Sequence, residues 1–157
     1  MVDFRNTVIG VVALNALKLQ GQQNAILSEI WMDAFIQDFI IDLQKEQLRF
    51  GKLGNGGEFP LGGPAYIDSV RRIRGAQQKP TDKVNLLNTG AFYDTIDIQI
   101  GTSFFTLIAN TTIYGDDFKS IYGFDILGFN DENLQKLIDF VRPIFIEKTL
   151  IRLLAGI

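Results

Sequence analysis

Tyr114-Gly115-Asp116-Asp117 is the place in this sequence where residue types and spacing would best suit a reaction. Two adjacent carboxylates on a tight turn can hold divalent cations, which activate an attacking oxygen and stabilise a leaving one during phosphoryl transfer. No second constellation of this kind is visible. The chain contains neither histidine nor cysteine, which removes thiolate nucleophiles, disulfides, Cys/His zinc sites and the commonest general base. Chemistry by lysine, serine or carboxylate stays open. The glycine-rich run from Gly51 to Pro64 invites comparison with a phosphate loop, but no Lys-Ser/Thr pair follows it and no apolar strand precedes it.

The Gly-Asp-Asp tetrapeptide is similar to the metal-binding hairpin of RNA-dependent RNA polymerases, even to an apolar strand before it and Phe118 after it. That resemblance implies two bound cations, a further aspartate on a neighbouring strand, and a large palm, fingers and thumb enclosure. A chain of 157 residues is far too short for the enclosure. A tight hairpin asks for glycine and aspartate on its own account. The expectation is therefore a non-enzymatic protein without cofactor or metal site, Asp116 and Asp117 being the only residues on which an enzyme reading would rest.

The elements that would position such residues belong to one domain spanning 1–157, long enough to bury a real core. Apolar content of 46% against 21% charged residues is that of a globular protein. A net charge of −3 argues against general nucleic-acid binding, which draws its affinity from phosphate neutralisation. Within the N-terminal segment 1–27, Val8–Leu19 is mostly apolar, interrupted by Asn15 and Lys18. The run is too short for a membrane-spanning helix. Asp3 beside the lone Arg5 makes a poor signal-peptide n-region. The run reads instead as a buried N-terminal element, or as one covered by a neighbouring subunit.

Ser28–Phe50 reads as one long helix, with Ser28 as N-cap and Gly51 just past its end. It carries two apolar stripes: Ile30, Ala34, Ile41 and Leu48 on one side, and Met32, Ile36, Phe39, Leu43 and Phe50 on nearly the opposite side. Polar residues including Glu29, Asp33, Gln37 and Gln44 separate them. A surface helix needs one stripe only, so the second is covered either by Val8–Leu19 or by another subunit. The loop at 51–65 is expected to be flexible and to order on assembly. Ala65–Arg74 reads as a short helix bearing Arg71, Arg72 and Arg74, and Lys79 and Lys83 prolong the basic run. Asp94 to Glu132 reverses the balance, with Asp94, Asp97, Asp116, Asp117, Asp125, Asp131 and Glu132 against Lys119 alone. This separation suits head-to-tail contact between subunits.

Ala91–Ile100 and Phe104–Tyr114 read as strands around a Gly101-Thr102-Ser103 turn, with Phe118–Tyr122 as a third. Asn130 starts a last helix, with Asp131 and Glu132 at its positive end. Leu134, Leu137, Ile138, Val141 and Phe145 mark its buried stripe, and Pro143 is expected to kink or restart it.

Leu87-Asn88-Thr89-Gly90-Ala91-Phe92 resembles the "leucine, x, Thr-Gly, x, aromatic" strand entry of tailed-phage tail-completion and head–tail joining proteins. The order of elements from Ser28 onward resembles that family as well, including Ile126-Leu127-Gly128-Phe129-Asn130 before the last helix. The residues have physical work of their own: Gly90 permits a turn that a Cβ would penalise, the Thr89 hydroxyl can satisfy backbone in that turn, and Leu87 and Phe92 anchor the core.

The resemblance implies an α+β fold in which a long N-terminal helix packs on a small antiparallel sheet and a C-terminal helix follows. It also implies a structural virion protein, a ring-forming subunit of the neck or tail end, assembled in the host cytoplasm. Its partners would be copies of itself and other virion proteins, with DNA passing through the assembly but not specifically bound, and no membrane. The candidate subunit interface comprises Met32, Ile36, Phe39, Leu43, Arg71, Arg72, Arg74, Asp94 and Asp97. The alternatives are a non-viral protein-binding module, such as a regulatory or toxin-neutralising protein, and the metal-dependent enzyme.

Overall fold

The computed structural model describes residues 22–61, 83–87 and 90–155. The expected single helix over Ser28–Phe50 is two helices: α1 over Gln23–Trp31 and α2 over Ala34–Arg49. The break is chemical. Asp33 takes an extended conformation and its carboxylate accepts from the Phe35 N–H, so it caps α2, the role expected of Ser28. From the first turn of α2, the Gln37 Nε2 donates to the Trp31 carbonyl at 2.9 Å and satisfies an end group of α1. Asp33 and Gln37, expected on a plain solvated stripe, are the joint.

Bending the chain here changes which faces are buried. Ile26 and Ile30 of α1 and Ile36, Ile40 and Leu43 of α2 meet Leu137 and Val141 of the last helix in one core cluster. Phe39 is half-buried and stacks on Phe140, ring centroids 4.0 Å apart. The second stripe of the expected long helix is therefore largely core. Ile36 is 2% and Leu43 4% exposed, while Met32, at the break, is 65% exposed.

Two antiparallel hairpins follow. Strand β1, Asp97–Ile100, pairs with β2, Phe105–Ile108, in the register Ile98↔Leu107 and Ile100↔Phe105. The more buried residues of this hairpin, Ile98, Ile100, Phe105 and Leu107, share one face at period two. The turn expected at Gly101-Thr102-Ser103 is present, closed by the Gly101 N–H on the Phe104 carbonyl. Both strands are shorter than expected. Residues 91–96 form a turn and a 3₁₀ segment, Tyr93–Thr95. After β2, Asn110 turns the chain with its own side chain, accepting from Thr112 N. The second hairpin joins β3, Thr112–Ile113, to β4, Asp116–Asp117. Its Tyr114 and Gly115 both have positive φ, 54° and 90°, the signature of a type I′ turn.

The expected third strand at Phe118–Tyr122 is a short helix, α3. Asp117 starts it by accepting from Lys119 N and Ser120 Oγ, and cap chemistry overrides the aromatic content that favours a strand. The last helix, α4, runs over Asp131–Leu154 with Asn130 as N-cap, as expected. It continues through Pro143 with no restart. Pro143 is exposed, and on the opposite face Leu137 and Val141 hold the adjoining turns in the core. A second cluster, Leu48, Phe59, Val84, Leu86, Phe92, Tyr93, Ile96 and Ile126, lies beneath the loops. The protein is thus an α+β fold of helices, two small antiparallel hairpins and a C-terminal helix.

Replacing Ile40, which is fully buried, by alanine should lower unfolding free energy by about 3 kcal/mol in urea titration. Asp33→Ala should cost about 1 kcal/mol through the lost cap, and Met32→Ala should stay within about 0.5 kcal/mol.

Candidate functional site

The most ordered polar arrangement among the described residues is a joint between α2 and the connector 126–130. Gln44 Nε2 donates to the Ile126 carbonyl at 3.1 Å, and its Oε1 accepts from Gly128 N at 3.0 Å. One turn on, Gln47 Nε2 donates to the Gly128 carbonyl and its Oε1 accepts from Asn130 N, both at 2.9 Å. Asn133 Nδ2 closes the set on the Leu43 carbonyl at 2.9 Å, and the Asn133 N–H donates to Asn130 Oδ1. Two side-chain amides thus pair with an extended backbone as a neighbouring strand would. All four side chains are buried, and such groups are held in cores only when their hydrogen bonds are made.

Periodicity places Gln44 on a polar stripe between two apolar ones, where a buried joint is not expected. A signal was available: Ile36, Ile40, Leu43 and Gln47 continue one series at i, i+4, i+7 and i+11, so Gln47 sits where a core residue belongs.

The glycine loop docks against the same connector. Gly54 N donates to the Asp125 carbonyl at 2.7 Å, and a Cβ at Gly54 would lie 2.9 Å from the Gly128 carbonyl oxygen. Asn55 Nδ2 reaches Asp125 Oδ2, Leu53 N and Phe59 N bond within the loop, and Phe59 is buried. From Gly51 to Phe59 the loop thus has defined hydrogen-bond partners; its last residues, 62–65, lie outside the described residues.

Of the strand-entry block, Phe92 is buried at the centre of the second cluster and Leu87 packs against its edge. Gly90 has φ 84°, the conformation expected of it. Thr89 lies outside the described residues. Leu86, not singled out in the sequence, is buried at φ 55°, a conformation that costs a non-glycine residue of order 1 kcal/mol. The Tyr93 hydroxyl donates to the Asn85 carbonyl and helps hold this segment.

The acidic run does not form one patch. Asp94 and Asp97 are exposed, Asp97 accepting from the N–H of the next residue, Ile98. Asp125 serves the glycine loop. Glu132 sits between Lys136 and Lys52, whose hydrogen bonds, the Lys136 one first, hold its carboxyl below the usual range. Lys83 pairs with Glu58 and lowers it likewise. Arg71, Arg72, Arg74 and the segment Val8–Leu19 lie outside the described residues.

Asp116 and Asp117 form β4, at the end of the second hairpin. Asp117 is engaged by the Ser120 hydroxyl, which chiefly lowers its pKa, by Lys119 N and by Thr111 Oγ1. No group of three or more acidic residues among the described residues is placed to hold a metal ion. Nor is any helix of the described residues long and apolar enough to cross a membrane.

What the described surface does offer is apolar area. On α4, Ile146, Leu150, Ile151 and Leu154 are each about half exposed. Ile146, Leu150 and Leu154 lie with Pro143 on the side of the second half of the helix turned away from the core-facing Val141 and Phe145, and Ile151 stands on the flank between them. Met32, Phe35, Phe50, Tyr114 and Phe124 are also exposed. No protein-family model, no curated protein and no solved structure matches this chain.

Gln47→Leu should destabilise the protein by about 3 kcal/mol, because the Gly128 carbonyl and Asn130 N–H are left buried without partners. Asp117 contributes stability above its ordinary pKa of 3.8 that is lost as pH falls through its depressed folded value. Asp117→Asn should therefore flatten the acid limb of a stability–pH profile below pH 3.8.

Proposed function

We propose that this chain is a structural assembly subunit, a ring-forming component of a tailed-phage virion at the head–tail junction or tail end. The observation that carries the reading is the outward stripe of α4. Four large apolar side chains stand exposed along one helix, and exposed apolar surface gathered on one element marks protein–protein contact. The occupant we assign to it is a second copy of the chain. A helix stripe that meets a different surface of its neighbour makes a head-to-tail contact, and such contacts close into rings.

Support for the phage class comes from the strand-entry block at Leu87–Phe92 and from the connector Ile126–Asn130 leading into the last helix. The interface assigned from sequence to Met32, Ile36, Phe39 and Leu43 moves to α4 in this reading, with Met32 alone of those four left well exposed. The net charge of −3 suits a channel wall past which DNA slides without sticking.

Ile146→Glu with Leu150→Glu should abolish higher-order species in light scattering and electron microscopy while far-ultraviolet circular dichroism stays that of the natural chain. A chain that stays monomeric even when mixed with portal and tail proteins would end the proposal.

A further inference from the structure

A second apolar surface is concave, and it lies on the other side of α4. Leu27 and Trp31 of α1, Leu134, Ile138 and Phe145 of α4, and Phe105 of β2 line an open groove of about 490 Å³. Leu134 and Ile138, expected in the core, are 45% and 40% exposed here. Grooves of this shape and lining accept an apolar helix face or extended segment.

We infer that the groove is the seat of this chain's own apolar run, Val8–Leu19. Three facts favour that occupant. In composition, only Gly10, Asn15 and Lys18 interrupt the run, so it needs cover. In position, Gln20, Gly21 and Gln22 alone separate it from Gln23, which lines the groove. Three residues reach at most about 10 Å. The run is thus delivered to the groove at an effective concentration of about millimolar, which favours it over the same segment of another copy. In length, Leu134 to Phe145 covers about 17 Å of α4, a span within the reach of twelve residues.

Trp31 is the chain's single tryptophan and reports on the groove directly. Its Nε1 donates to the Ser103 carbonyl and its ring meets Phe105 edge-on, so it stays fixed while its open face is covered or bared. In the full chain, Val12→Asn, Leu14→Asn and Leu17→Asn together should shift Trp31 emission to the red. Acrylamide quenching should rise about twofold as the ring becomes wet, with unchanged circular dichroism. Unmoved emission and quenching would overturn the assignment. So would a natural-chain signal that changes on about hundredfold dilution, since an intramolecular contact is independent of concentration.

Should the triple variant fail to fold, Leu14→Cys with Ile138→Cys in the otherwise natural, cysteine-free chain decides the matter. An intrachain disulfide is expected, and an interchain one or none refutes the inference.

Discussion

The described structure depends on two glutamines reading a backbone. Gln44 and Gln47 bond to Ile126, Gly128 and Asn130 as a strand would, and in doing so they fix where α4 begins. Everything around the joint is referred to it. The N-cap of α4 is Asn130, whose own N–H is held by Gln47. The glycine loop approaches the connector closely at Gly54. Asn133 of α4 reaches back to the Leu43 carbonyl at the edge of the core shared by α1, α2 and α4. A side-chain amide brings a donor and an acceptor on one rigid plane, so two of them one turn apart can do what a hydrophobic contact cannot: they fix register as well as proximity.

With its starting point fixed, α4 presents different neighbours to its two sides. One side closes the core at Leu137 and Val141 and opens into the groove. The other carries exposed apolar residues from Ile146 to Leu154. A surface helix needs one apolar stripe only, and α4 carries exposed apolar residues beyond the one that closes the core.

The extent to which this was legible in sequence follows the range of the interactions. Local signals read well: Asn130 as a cap, the Gly101–Ser103 hairpin turn, the positive φ at Gly90, Phe92 as an anchor, and the α+β class. Signals that competed locally were misjudged. Asp33 outbid helix periodicity at Met32, and Asp117 turned Phe118–Tyr122 into a helix although its aromatic residues favour a strand. Contacts between residues distant in sequence were invisible, because nothing in Gln44 announces Ile126. Periodicity counted Ile36 and Leu43 as surplus apolar residues for the same reason, since the α4 residues that cover them lie about a hundred positions on. The glycine run was read as loose because glycine alone costs order, while the partners that hold it, Asp125 and Gly128, lie some seventy residues away.

The two contacts that seat α2 and α1 on the last helix differ in kind. The α2 joint is made of neutral amides and carries no titratable group. The α1 contact adds a rim of charge, where Glu29 faces both Lys148 and Arg152, all on partly exposed side chains. Ions in solution screen such pairs within about 8 Å at physiological strength, and they do not reach the buried amides. Raising ionic strength therefore weakens this rim of charge, while the amides of the α2 joint and the buried Ile26 and Ile30 that seat α1 in the core are untouched by it.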